Sequence, residues 1–310
     1  TTIVTVRIAF TDENNSDCNP STNPWITEDN WIADAINWAW NPNFGNADIL
    51  SNSWGSTGSP TNQIDNAIDN AINNGRDGLG SLVFFATGNN GTSTLLYPAS
   101  HPGVIAVGAT TRNDVRASFS QYGSHDVVAP GAEIATLDVS GNPGYSNSEC
   151  ATTYNGDPDY VSSIDGTSFA CPYAAGTMAL ILSVNRCLTQ NEARQVLELS
   201  CDKVGNYCYN PTAGHPNGTW NNEMGHGRIN AHRAVQYAFS TQITNISTTG
   251  GTIESTTDFY NFQLLADGCL NLGIGLGGYL VKRVEVVKEI TFPYTTSPLI
   301  IGHVTGMSIN

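Results

Sequence analysis

The sequence predicts an α/β protein, a parallel sheet with helices on both faces, followed by a small β-rich C-terminal domain. Three observations carry this reading. The runs "ADILSNSWG", "SLVFFATGNNG", "GVIAVGAT" and "HDVVAPG" are nearly continuous in apolar residues over their cores, as strands buried on both faces must be. Between them lie segments whose apolar residues recur every three or four positions, the spacing of amphipathic helices. Beyond about residue 240 the composition changes, from a Ser/Thr/Gly-rich stretch to Val, Ile and Thr with alternation.

Taken in order, "TTIVTVRIAF" is β-branched and reads as a core strand. A polar loop follows. The segment "TEDNWIADAINWAW" then puts Ile32, Ala35, Ile36, Ala39 and Trp40 on one helical stripe, with Thr27 as its cap and Glu28 and Asp29 in its first turn. A second stripe, Ile64, Ala67, Ile68, Ala71 and Ile72, is stopped by Gly75. A helix is predicted from the Ser168 region to about Val184. Another opens with the capping box Thr189 and Glu192, and a third runs from Asn230 to about Ala238. "STQITNISTTGGTIESTT" reads as a linker, which divides the chain into residues 1–240 and a β-rich accessory domain at 241–310.

Composition narrows the function. With 27 acidic against 12 basic residues and a net charge of −15, the chain lacks the basic surface that nucleic acid or an anionic membrane requires. No uninterrupted apolar run in the sequence is long enough to span a bilayer. Charged residues make up only 13%, with three lysines, a balance that suggests a secreted or cell-envelope setting. The seven cysteines include no CxxC pair, which argues against a zinc site. Cys201 and Cys208 flank a short loop at a spacing that allows a disulfide, and buried free thiols are the equal alternative.

The chemistry concentrates in "SIDGTSFACPYAAG", residues 163–176. A serine on a tight turn at a helix N-terminus is exposed for attack, and the helix dipole and free N–H groups there favour developing negative charge. An N-cap serine would have the same local sequence. The flanking residues decide between the two. "GTSFACPYAAG" resembles the Gly-Thr-Ser-x-Ala-x-Pro-x-x-x-Gly signature of the subtilisin-like serine peptidases, the secreted bacterial type in particular. "FFATGNNG" is similar to that family's Ala-Ala-Gly-Asn-x-Gly segment, and "ADILSNSWGS" to its cleft-lining strand. The late run "GTWNNEMGHGRINA", residues 218–231, also resembles these peptidases.

The resemblance spans residues 1 to about 240. It implies a Ser168 nucleophile with Asn89 as oxyanion donor, Gly88 beside it, and Ser53, Trp54 and Gly55 as backbone partners of an extended peptide substrate. It gives His101, His125, Asp126 and His226 structural places. The family's Asp-(Ser/Thr)-Gly and His-Gly-Thr-His motifs, which precede the serine, do not occur here. The resemblance therefore implies a peptidase domain that is N-terminally incomplete, whose Asp and His come from a segment upstream of Thr1 that is part of the same protein. Taken alone, the chain is expected to be almost inert, since loss of the histidine in subtilisin itself costs about 10⁶ in kcat.

Two other readings remain at this level: a catalytically inactive module serving as an extracellular scaffold or peptide-binding protein, and a sedolisin-type acid serine peptidase. No cofactor is required for serine acyl transfer. "TDENNSD" and "NGDPDY" gather hard oxygen ligands compatible with structural calcium, but neither is an EF-hand and no metal ligand is assigned.

Overall fold

The computed structural model describes residues 2–9, 26–140 and 152–240, together with short strand segments between 275 and 309. The chain divides into two compact units, one of residues 1–179 and 189–234, the other of 180–188 and 235–310. The first unit holds the sheet and the site.

Helix α1 spans Asp29–Trp40 and buries Ile32, Ala33 and Ile36. Its start differs from the sequence expectation: Glu28 is the N-cap and no side chain caps it. The hydroxyl of Thr27 donates instead to the carbonyl of Ile8, so it is unavailable to the helix. Strand β1, Ile49–Asn52, follows. Helix α2, Asn62–Gly78, buries Ile64, Ala67, Ile68 and Ala71 and leaves helical geometry at Gly75, as the pattern predicts. A Cβ on Gly75 would stand 2.1 Å from Ser81 Oγ and 2.8 Å from Ser81 N. That close approach of backbones admits only glycine.

Strands β2 (Leu82–Ala86), β3 (Ile105–Thr110) and β4 (Val127–Pro130) complete a four-stranded sheet in the order β1-β2-β3-β4. All three pairings are parallel, with Ser51 opposite Phe84, Phe85 opposite Ala106 and Gly108 opposite Val128. Every residue of β2 and β3 is buried. Alternation assigns the two faces. Leu50, Val83, Phe85 and Ala106 join Ile32, Ile36, Ile64 and Ile68 in one apolar cluster, so α1 and α2 cover that face. Ser51 points the other way and meets the Cys171 thiol at 3.8 Å. Cys171 belongs to α3, Thr167–Val184, and α3 thus starts on the opposite face. Burying ten or so large apolar side chains in this sandwich, at about 1.5–3 kcal/mol each, is what holds the layers together.

The remaining elements extend this frame. Strands β5 (Ile134–Leu137), β6 (Thr152–Tyr154) and β7 (Asp157–Ile164) form an antiparallel sheet in the order β5-β7-β6, and β7 delivers the chain to Gly166. Helix α4, Gln190–Ser200, carries the predicted capping box: Thr189 accepts from the Glu192 N–H, and the Glu192 carboxylate accepts from the Thr189 N–H at 2.8 Å. The hairpin β8 (Asn210–Thr212) and β9 (His215–Trp220) leads to α5, Ala231–Ser240. In the second unit, β10 (Gly275–Leu276), β11 (Tyr279–Val281) and β14 (Met307–Ile309) pair antiparallel, as do β12 (Val284–Val286) and β13 (Gly302–Val304).

One further sequence expectation is overturned, and one alternative left open is decided. Residues 2–9 form no strand, and Ile3 is 86% exposed. Val4, Val6 and Ile8 line a cavity of about 170 Å³ together with α1 and β1. β-branched composition makes a segment fit for a sheet, but only hydrogen bonding to a neighbour makes it a strand. Cys201 and Cys208 do not pair; both are free thiols. The Cys201 thiol is tucked into the end of α4, donating to the Leu197 carbonyl at 3.3 Å, while Cys208 is exposed. Cys187, by contrast, is in a disulfide. The loop runs "TDENNSD", and with it Cys18 and Cys150, lie outside the described residues.

Candidate active site

Parallel strands all end on the same edge of their sheet, and loops leaving that edge converge. β1 ends at Asn52 and passes into Ser53–Trp54–Gly55. β2 ends at Ala86 and passes into Thr87–Gly88–Asn89. Helix α3 begins at Thr167 beside both. The three segments singled out in the sequence therefore meet, and hydrogen bonds join them.

Ser168 lies in the first turn of α3, half-buried, where backbone N–H groups have no partner within the helix. Its hydroxyl donates to the Ser53 carbonyl at 3.2 Å, and the Ser53 hydroxyl donates to the Ser168 carbonyl at 2.8 Å. This reciprocal pair fastens the β1 loop to the helix. One residue earlier, Thr167 donates twice to Asn89 Oδ1, from its N–H and its hydroxyl, each at 2.9 Å. The same hydroxyl accepts the Gly88 N–H at 3.2 Å. Two donors on Oδ1 leave no ambiguity about the amide: its Nδ2 group is the end that stays free to donate. A Cβ on Gly166 would stand 3.5 Å from that Nδ2, at ordinary contact distance, so the amide lies next to the helix start.

Thr167 is the residue that sequence reasoning passed over. It is 1% exposed and connects Gly88, Asn89 and the helix start. Its signal was present in the Gly-Thr-Ser triplet, where only the serine was assigned chemistry. Trp54 is placed differently from its neighbours: its ring packs edge-on against Phe85 with centroids 5.1 Å apart, and its indole N–H donates to Asn52 Oδ1 at 3.2 Å. Its ring is thus partly buried against the apolar cluster. Beneath the site, Cys171 donates to the Asn52 carbonyl at 3.6 Å. Burial pushes its thiol up to about 12, so it stays protonated and is no nucleophile.

The histidines named in the sequence lie apart from these bonds. His101 faces Asp69 at 3.6 Å. His125 and His226 are fully buried, His226 beside the Glu198 carboxylate at 3.4 Å, which Arg194 ties to Asp126. Burial, with His215 and Arg116 nearby, lowers His125 to about 3. Burial likewise lowers His226 to about 4, against the pull of Asp126. The Asp126 carboxylate is bound by Arg194 and accepts the Ala106 N–H at 2.6 Å. These groups brace α4 and the β9 end against β3 and β4. Among the described residues, no three His, Cys, Asp or Glu side chains gather to hold a metal ion.

The fold and the joined Ser-Thr-Asn geometry define a subtilisin-like α/β protein. Residues 22–227 match the subtilase family, and the chain belongs to that family. It is 40% identical over 159 residues to a thermophilic serine proteinase of Bacillus sp. (strain AK1), covering 51% of this chain and 31% of that protein. It is 37% identical over 183 residues to a calcium-dependent protease of Nostoc sp., covering 54% and 26%. To subtilisin BL of Lederbergia lenta it is 33% identical over 206 residues, covering 66% and 61%. Among solved structures it is similar to a protease from Pseudoalteromonas arctica, with a TM-score of 0.51 and 29% identity over 68% of this chain and 59% of that one. The chain thus spans between about a quarter and three fifths of the curated relatives' lengths.

Proposed function

We propose that this chain is the serine-bearing part of a secreted serine endopeptidase, with its aspartate and histidine supplied by a segment upstream in the same protein. The observation that carries the proposal is the Asn89 amide held by Thr167 immediately beside Ser168. Membership of the subtilase family and the proteases among the relatives support it, and they favour it over the acid-peptidase alternative. An inert scaffold has no physical need of an oriented amide next to a helix-terminal serine.

In this reading a peptide pairs along Ser53–Gly55 as an added strand. The upstream histidine takes the Ser168 proton as Oγ attacks the scissile carbonyl carbon. The oxyanion is met by Asn89 Nδ2 and the Ser168 N–H, in the positive field of the α3 N-terminus. The amine leaves with the proton returned from the histidine, and water then hydrolyses the acyl ester. Protein side chains and backbone supply every group in these steps. Residues 1–240 form the peptidase domain and 241–310 an accessory β domain. The calcium-dependent protease among the relatives supports structural calcium in the whole protein, for which no ligand set is assigned.

The test is a fluorophosphonate probe on the full-length protein. Label on Ser168, lost in Ser168→Ala, accompanied by cleavage of casein, is the expected result. Absence of label with Asp and His motifs present upstream would end this reading and leave the scaffold alternative.

A further inference from the structure

The β8–β9 hairpin joins the charged cluster of α4 through a few side chains. Along β9, His215, Asn217 and Thr219 are half-buried and Trp220 is buried, while Pro216 and Gly218 between them are exposed. The Asn217 amide donates to Glu198 Oε2 at 2.7 Å, and Lys203 Nζ donates to the Thr219 carbonyl at 2.9 Å. The Trp220 indole N–H donates to the His125 carbonyl at 3.0 Å. His215 stacks flat on the Trp220 ring, with centroids 4.1 Å apart, and meets the His226 ring edge-on at 5.8 Å. His226 in turn presents Nε2 to Glu198 Oε2 at 3.4 Å, and its Nδ1 is buried without a hydrogen-bond partner. His125 adds a third imidazole, with both ring nitrogens buried and unpartnered.

We propose that this hairpin is an acid-released latch, closed on α4 at neutral pH and lifted when His215 and His226 take up protons. An imidazolium carries an N–H on each ring nitrogen. At His226 the Glu198 carboxylate accepts one of them. The other, on Nδ1, is buried with nothing to accept it, and an unpaired donor on a buried charged ring is strongly unfavourable. Lifting β9 brings water to it. The groups around the two rings do not rescue the closed state. Asp126 draws a proton to either ring, but Arg194 already binds it, and Arg194 opposes charge at His215 as Lys203 and His215 do at His226. Glu198 is likewise held by Arg194, and the Glu223 carboxylate by Arg116. Burial therefore wins, lowering His215 from its ordinary value and His226 to about 4. A released hairpin returns both rings to water, where they titrate near 6.5. It binds protons that the closed hairpin refuses, so release is favoured as the pH falls from about 6.5 toward 4. The open-to-closed ratio rises by up to about tenfold per pH unit for each refused proton.

The latch does not depend on the peptidase reading. Its test uses the full-length protein carrying Ser168→Ala, so that no self-digestion intrudes. Hydrogen–deuterium exchange is read by mass spectrometry from pH 7 to 4, and each rate is divided by the intrinsic rate at that pH, which gives the opening of each segment. Residues 210–220 are expected to open at least about tenfold more between pH 6.5 and 5, while β2 and β3 stay protected. His215→Phe keeps a ring on Trp220 but takes no proton, and is expected to flatten that pH dependence. His226→Gln removes the second proton and flattens it as well. A hairpin that stays closed until β2 and β3 also exchange overturns the inference. So does a pH dependence unchanged in either folded variant. Should one variant fail to fold at pH 7, the other decides, and the wild-type profile is decisive by itself when it shows no opening ahead of the sheet.

Discussion

Two polar regions of the first unit differ in a way composition does not reveal. The Ser168 region is built from uncharged groups: three hydroxyls, an amide and backbone. The Asp126–Arg194–Glu198–His226 region is charged and sealed, with Asp126, Glu198 and His226 at 3%, 2% and 1% exposure. Arg194 donates to Glu198 at 2.8 Å and to Asp126; Asn217 reaches Glu198 at 2.7 Å, and His226 stands 3.4 Å from the same carboxylate. Despite burial, the two carboxylates hold the Arg194 guanidinium above its ordinary value. A reader searching for catalysis would go first to the cluster with Asp, His and Glu together. Its carboxylates and guanidinium are instead bound to one another and sealed from substrate, and the one unpartnered atom of the cluster, His226 Nδ1, is buried; the uncharged region keeps a free amide at an open edge. Titratable residues mark chemistry only where a free group is also open to a substrate.

The comparison breaks most readily at Ser168. In the full-length protein Ser168→Ala is expected to lower kcat by about 10⁶, the scale known for subtilisin itself, with at most the small fall in melting temperature that loss of one hydrogen bond to Ser53 brings. A large loss of stability would mean that Ser168 braces the fold rather than acts. Arg194→Ala tests the other region. It strands two buried carboxylates and should cost about 3–5 kcal/mol in chemical denaturation, while turnover per folded molecule stays the same.

Asn89→Leu comes next, with kcat reduced about 10²- to 10³-fold, a magnitude set by subtilisin's own oxyanion asparagine, and little change in KM. A rise in KM alone would make Asn89 a binding residue.

Acid sharpens the contrast further. His226 titrates at about 4 and His125 at about 3 in the folded chain, both below the ordinary 6.5 because burial disfavours their charged forms. Between pH 6.5 and 4 the unfolded chain binds protons on these histidines that the folded chain refuses. Stability therefore rises with pH in that window and is lost on acidification, by about 1.4 kcal/mol per pH unit for each proton. Asp126 opposes this. Burial lifts its carboxyl to about 6, against Arg194, so its folded form takes a proton first and removes about one proton from the slope. His215, also lowered by burial, adds to the loss. Thermal melts from pH 7 to 4 should fall steadily; a flat profile would mean the cluster is open to water. The smallest effect is Thr189→Ala, which removes the α4 cap at about 1 kcal/mol, readable as a shifted denaturation midpoint.

Much of this was legible in the residues. The stripe at Ile64, Ala67, Ile68 and Ala71, the Thr189–Glu192 box and the unbroken apolar runs each encode a local rule, and each element formed where its rule placed it. Local rules failed where a choice depended on a distant partner. Thr27 had the chemistry of a cap but spends its hydroxyl on Ile8, nineteen residues away. Residues 2–9 had strand composition without strand pairing. For Cys201 and Cys208 the local sequence left pairing and free thiols open, and the contact of the first thiol with Leu197 decided for free thiols.

The sequence by itself determined the family, the helices, the strands of the parallel sheet, and the motifs bearing Ser168 and Asn89, because periodicity and short signatures are properties of neighbouring residues. Only the tertiary structure decided that Thr167 aims the Asn89 amide, that Trp54 turns into the core, and that His226 stands beside Glu198. Those outcomes hinge on contacts between segments that are far apart along the chain, and folding alone brings such segments within ångströms of each other.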